Sequence, residues 1–241
     1  MIETRNLTKK YGTKTAVDGI SLSIAKGELF ALLGVNGAGK TTTIRMLSCL
    51  SSPTSGDASV GGFSCTGQSA EIKKIIGISP QDTAVADRLT VRENLEFMAN
   101  VHGLDRDLAR RRVEQMIADF HMEEVVHQQA RTLSGGWQRK LSIAMALISE
   151  PKVLFLDEPT LGLDVLARRE LWKAIERLKG SMTMVLTTHY MEEAEHLADR
   201  IAIMIAGKIA ACGSLKEILS MTNTEHLENA FIAIAEKEGA A

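Results

Sequence analysis

The segment Gly34-Val35-Asn36-Gly37-Ala38-Gly39-Lys40-Thr41 sets small residues, one lysine and one hydroxyl at the spacing a phosphate cradle needs. Glycines let successive backbone amides turn toward one anion, and a helix opening at Lys40 adds the positive end of its dipole. Lys40 can reach the terminal phosphates, the Thr41 hydroxyl can ligate Mg²⁺, and Thr42 supplies a second hydroxyl nearby. A second stretch, Val153-Leu154-Phe155-Leu156-Asp157-Glu158, is an apolar run ending in two carboxylates, as a buried strand ending at the ligand edge of a parallel sheet would read. Asp157 fits a magnesium ligand. Glu158, one residue past the strand, can position or deprotonate a water in line with the terminal phosphate, which favours hydrolysis over transfer to a second substrate.

Leu133-Ser134-Gly135-Gly136 stands before an amphipathic run at residues 140–149, so Ser134 can cap a helix whose first amides the glycines leave free. An ordinary Ser-capped helix is the plain alternative. A chain that already has a complete phosphate loop has no use of its own for a second such receptor, and a second copy's nucleotide would explain it.

The elements that must hold these residues follow from the hydrophobic pattern. Short β-type runs at 21–24 and 29–33 lead through the Gly-rich turn into a helical pattern at 40–49. Strands return at 153–156, 184–187 and 201–205, with helices at 165–179 and 191–197 between them, which implies a parallel sheet with crossover helices. Between the two halves, residues 90–120 read as amphipathic helix opened by the capping box Thr90-Val91-Arg92-Glu93. The class is α/β with a helical subdomain over about residues 84–150. Gly207-Lys208 suits a short hairpin, and residues 215–235 read as two helical pieces before a polar tail.

Composition excludes several classes. Among 241 residues, 45% are hydrophobic and 24% charged, ordinary for a globular chain and unlike disorder or low complexity. Twenty-eight basic against 30 acidic residues give a net charge of −2, with no excess to neutralise a nucleic-acid backbone. Apolar runs fall far short of the ~20 residues that span a bilayer. The N-terminus lacks the basic and apolar regions of a secretory signal, so a cytoplasmic location is expected. Cys49, Cys65 and Cys212 have no metal or disulfide spacing and are expected to be reduced. Arg110-Arg111-Arg112 spreads around a helix and is expected to form a solvated face.

With these motifs in this order, the chain resembles the ATP-binding cassette (ABC) ATPases over essentially its whole length. Residues 34–41 resemble the family's phosphate loop, Leu133-Ser134-Gly135-Gly136 its signature, and Thr160-Leu161-Gly162-Leu163-Asp164 its D-loop. The resemblance implies a P-loop NTPase parallel-sheet core with an antiparallel β region and an inserted α-helical subdomain. It makes 1–241 a single domain, with the core at about 1–83 and 151–222, helices at 84–150 and a helical tail at 223–241.

It also implies residue roles. ATP would be bound by Tyr11, stacking on adenine, by Gly34, Asn36, Gly37, Ala38, Gly39, Lys40, Thr41 and Thr42, and by Ser134, Gly135 and Gly136 from a second copy. Mg²⁺ would meet Thr41, Gln81 and Asp157, and catalysis would use Glu158, His189 and Gln81. Trp137 and Leu161 depart from the residues usual at their positions.

The expected partners are a second copy, head to tail, and a separate transmembrane permease, with no nucleic acid; the chain would sit at the inner face of the membrane through that permease. The segments at 89–95, 188–195 and 227–231 look most like cassettes of drug, antibiotic and sodium exporters. The competing expectation is a soluble ABC ATPase acting on a ribosome or a cofactor-assembly scaffold.

Overall fold

The computed structural model describes residues 1–239. In chain order its elements are β1 (Ile2–Tyr11), β2 (Lys14–Ile20), β3 (Ser23–Ile24), β4 (Leu29–Leu33), α1 (Lys40–Leu47), β5 (Ser55–Val60), β6 (Phe63–Ser64), α2 (Ser69–Lys73) and β7 (Ile76–Ser79). Then come α3 (Val91–Val101), α4 (Arg106–Asp119), α5 (Gly135–Leu147), β8 (Val153–Asp157), α6 (Val165–Leu178), β9 (Thr183–Thr188) and α7 (Met191–Leu197). The chain continues through β10 (Arg200–Ile205), β11 (Lys208–Gly213), α8 (Leu215–Thr222) and α9 (Leu227–Lys237).

A six-stranded sheet runs β11-β10-β4-β9-β8-β7, parallel except for the β10–β11 hairpin. Its central strands β4, β9 and β8 are buried at every residue because both faces are covered, and are mostly apolar. Along β8, Leu154 and Leu156 face one cluster with α3 to α6, while Val153 and Phe155 face another with α1 and the antiparallel sheet. A third cluster joins Ala31 and Leu33 of β4 and the isoleucines of β10 to Ala194, Ile218, Phe231 and Ile234 of α7, α8 and α9. Beside this core, β2-β1-β5-β6 forms an antiparallel sheet, with β3 also paired to β1.

The strand expected at 21–24 forms only at its end, Ser23–Ile24. The helical run expected over 90–120 is two helices, because Gly103 takes a left-handed turn (φ +69°) between α3 and α4. The Thr90–Glu93 capping box is present, with both reciprocal bonds. Arg112 corrects the solvated reading of the arginine triple: Arg110 and Arg111 are exposed, but Arg112 is buried, bonds Gln115 at 2.6 Å and pairs with Glu150.

Register is what assembles the site. Leu33 pairs with Thr188 across β4–β9, and Asp157 with Thr187 across β8–β9. The three residues that follow these strand ends, Gly34, Glu158 and His189, are thereby brought side by side at the carboxyl edge of the sheet, where open α/β sheets bind ligands.

Candidate functional site

The phosphate loop is held open by glycines that no other residue replaces without strain. Gly39, at the N-cap of α1, has φ +108°, and a Cβ there would run into the Ala16 carbonyl of β2. A Cβ on Gly34 would run into the Met204 carbonyl of β10. The Gly34 amide continues the sheet ladder to the Thr188 carbonyl at 3.2 Å, and Gly207 N donates to the Ala38 carbonyl at 3.0 Å. Asn36 and Gly37 stand exposed at the loop apex and Thr42 is half-buried on α1.

Six side chains converge at the sheet edge. The Lys40 ammonium donates to the Gly34 carbonyl at 2.7 Å and pairs with Glu158 Oε1 at 3.0 Å, with both side chains 5% exposed. Glu158 Oε2 lies 2.7 Å from His189 Nδ1. Asp157 Oδ1 accepts from Thr41 Oγ1 at 3.0 Å and from Thr187 Oγ1 at 2.5 Å. Glu158 itself sits at φ +49°, uncommon for a side chain of its size. Its amide is tied to Thr187 at 3.0 Å to the hydroxyl and 3.1 Å to the carbonyl, so the neighbouring strand over-determines that turn.

Thr41 and Asp157 offer hard oxygen donors, which suit Mg²⁺. Among the described residues no group of three or more His, Cys, Asp or Glu side chains could hold a metal unaided. The donor set therefore fits an ion that takes its remaining ligands from phosphate and water.

Gln81 follows β7 with its side chain exposed; its backbone is what is held, the Gln81 and Pro80 carbonyls each accepting from Arg139 at 2.7 Å. Burial pushes the Arg139 guanidinium below its ordinary range, opposed by Asp82, Asp157 and Glu193. Arg139, on α5, thus clamps the segment after β7 to the helix that begins at Gly135. Sequence reading missed it: a charged residue three beyond a Gly pair gives no sign of facing inward.

Tyr11, at the end of β1, is 49% exposed with Lys9 Nζ 5.1 Å from its ring centre. The β1–β2 hairpin approaches the phosphate loop through Ala16, as the Gly39 contact shows.

Ser134 is at the N-cap of α5, which starts at Gly135, earlier than the run at 140–149 suggested. The expected cap is not made: the Ser134 side chain accepts no bond from the helix. Ser134 and Gly135 are exposed, leaving that hydroxyl and the first amides of α5 open to an anion. Gly136 has a packing reason as well, because a Cβ there would come within 3.1 Å of Ala167 Cβ on α6. Trp137 leaves the amides alone; its ring packs on the helical layer with Lys140 Nζ 4.4 Å above it. A cavity of about 940 Å³ opens at the other edge of the sheet, around Lys26, Lys152 and Thr183, and none of the site residues lines it.

A phosphate loop entering a helix from a parallel strand, next to a strand ending in Asp-Glu, defines a P-loop nucleotide-binding protein. Comparison with known proteins narrows the class. The ABC transporter family profile matches residues 17–161. The chain is 41% identical over 221 residues to the linearmycin resistance ATP-binding protein LnrL of Bacillus subtilis, covering 91% of this chain and 71% of that protein. It is 40% identical to the daunorubicin resistance ATP-binding protein DrrA3 of Streptomyces coeruleorubidus, covering 91% and 70%. Against the human phospholipid-transporting ATPase ABCA3 it is 45% identical over 217 residues, 88% of this chain but only 13% of that much longer protein.

Among solved structures, an ATP-binding subunit of an ABC transporter superposes with TM-score 0.86 at 27% identity, over 98% of this chain and 99% of that one. A dimeric post-hydrolysis state of the cassette MJ0796, bound to ADP and Pi, superposes with TM-score 0.80 at 26% identity, over 89% and 99%. The chain belongs to the ABC transporter family, as one of its ATP-binding cassettes, the family's ATPase domain.

Proposed function

We propose that this chain hydrolyses ATP to drive an exporter, pairing head to tail with a second copy and docking on a separate membrane permease. One observation carries the reading: a single chain presents a self-contained phosphate loop at the sheet edge and, on another layer, a helix N-terminus whose cap is unmade. Two copies facing each other in opposite directions would give each ATP both surfaces. The dimeric MJ0796 cassette supports pairing of two copies, and the two resistance proteins support export. Among the described residues no helix is long and apolar enough to cross a membrane, so this reading assigns the membrane path to another chain.

The chemistry follows from the Lys40–Glu158 pair. An arriving triphosphate offers Lys40 a stronger counter-ion than Glu158, and the lysine turns to the phosphates. Glu158, released from Lys40 but still held by His189, is then free to accept a proton from water attacking the terminal phosphorus, as the bond to ADP breaks. Thr41 and Asp157 would hold Mg²⁺, which supplies charge neutralisation on the phosphate oxygens when bound. Gln81, fastened by Arg139 to α5, would report occupancy to the helical subdomain, and Tyr11 would stack on the base. Loss of the terminal phosphate removes what joins the two copies, and they part.

Affinity purification of the chain from membranes with identification of what accompanies it tests the proposal. A polytopic membrane protein is expected; a ribosome or an assembly scaffold in its place would overturn the exporter reading.

A further inference from the structure

Glu193, on α7, is wholly buried four residues beyond His189. Its Oε1 accepts from the indole Nε1 of Trp172 on α6 at 3.1 Å. Its Oε2 has no hydrogen-bond partner among the described residues, and neither does the buried hydroxyl of Thr160. The Thr188 and Thr160 hydroxyls face this carboxyl together with the indole. Thr188 Oγ1 in turn accepts the Tyr190 amide at 3.0 Å, fixing the turn that carries His189. Thr160 lies two residues beyond Glu158, in the turn closed by Leu161 N donating to the Glu158 carbonyl at 3.1 Å. One carboxyl thus stands where the turn of Glu158, the turn of His189 and helix α6 meet.

We infer that Glu193 is a positioning residue for hydrolysis, its carboxyl coupling Thr160 to Thr188 so that Glu158 and His189 keep their mutual geometry. Two orphaned polar atoms in one buried pocket are costly unless they serve each other. A proton on Oε2 lets the carboxyl donate to one hydroxyl while Oε1 keeps the indole. Burial raises the Glu193 carboxyl above its ordinary range, and the charge of Glu158 pushes the same way; the Trp172 indole bond and the Thr188 and Thr160 hydroxyls that face it act against it. The Glu193 carboxyl in turn acts on Arg139 of α5, opposing the fall that burial imposes on that guanidinium. Thr160 also opens the segment leading to the exposed Val165 and Leu166 at the start of α6. A contact made there by a second copy would therefore be felt at the hydrolytic pair through Glu193.

The inference rests on reading Glu158 and His189 as that pair, and its test separates the two. ATP turnover and KM are measured on the full-length chain for Glu193→Ala, Glu193→Gln, Thr160→Val and Glu158→Gln, with thermal melting of each. Glu193→Ala is expected to lower kcat about tenfold or more while leaving the ATP KM within about twofold, as misplacement of a reacting group does. Glu193→Gln, which keeps the shape, an acceptor and a donor, is expected to stay within about threefold of the unsubstituted chain, since each tenfold reflects about 1.4 kcal/mol. Thr160→Val, nearly isosteric, is expected to lower kcat without moving KM, and it decides the matter if Glu193→Ala does not fold. Unchanged kcat in the folded Glu193→Ala or in Thr160→Val, or a loss in Glu193→Gln as deep as in Glu193→Ala, overturns the inference. If Glu158→Gln alone abolishes turnover, only the role of Glu193 falls; if Glu158→Gln turns over normally, the hydrolytic reading falls with it.

Discussion

The two surfaces proposed to face phosphate are built on opposite terms. At the sheet edge Lys40, Asp157 and Glu158 are each 4–5% exposed and each has a partner inside the chain. At the start of α5, Ser134 and Gly135 are exposed and the capping bond that the residue type could make is absent. The contrast with α3 is instructive: Thr90 holds the same N-cap position and makes its bond, reciprocated by Glu93. One surface is preassembled from buried, partnered side chains, and in the proposed function it sets nucleotide affinity and chemistry. The other is left unsatisfied, so it gains most when a ligand arrives from outside.

The sharpest way to break this division is Glu158→Gln. It is expected to keep ATP binding, lower turnover by about 10²–10⁴-fold, the span of a lost general base, and accumulate a closed dimer with Mg-ATP. Light scattering that shows monomer only, with turnover unchanged, contradicts it. Lys40→Ala acts one step earlier: it strips the phosphates of a charge-assisted donor and leaves Glu158 buried without its cation. An affinity loss of about 30-fold or more is expected, taking about 2 kcal/mol or more for one such partner; retained tight binding by titration would remove the phosphate-loop role.

Ser134→Ala addresses the other surface. Turnover is expected to fall about tenfold, one good hydrogen bond's worth, while ATP affinity of the monomer and the melting temperature stay put. Thr90→Ala is the mirror image and the smallest effect: about 1 kcal/mol of stability, a few degrees of melting, and the same kcat. If Ser134→Ala instead costs stability, that hydroxyl is an ordinary cap and the two surfaces are not built differently.

What could be read from sequence divides along physical lines. The central strands β4 and β8 of the parallel sheet announce themselves because burial on both faces favours apolar runs, as in Leu29–Leu33 and residues 153–156. β1 and β2 escaped notice: the sheet they form has a solvated face, β1 is largely polar, and its alternation slips at an irregularity between Leu7 and Lys9. β5 and β7 were hidden by their small and polar residues. The motifs around Lys40, Glu158 and Ser134 were legible because phosphate chemistry constrains residue type at fixed spacing. Arg139, Arg112 and Glu193 were not: a charge on an amphipathic helix reads as solvated until packing shows which way the helix is turned. The unusual backbone of Glu158 likewise has no mark in the sequence, since only the neighbouring strand imposes it.

The third hydrophobic cluster has a bearing on synthesis. Leu33, the residue before the phosphate loop, belongs to the same buried cluster as Phe231 and Ile234 of α9. At about 5–20 residues per second, a ribosome releases the loop roughly 10–40 s before it releases that helix. The strand that leads into the loop can therefore complete this buried cluster only after that interval.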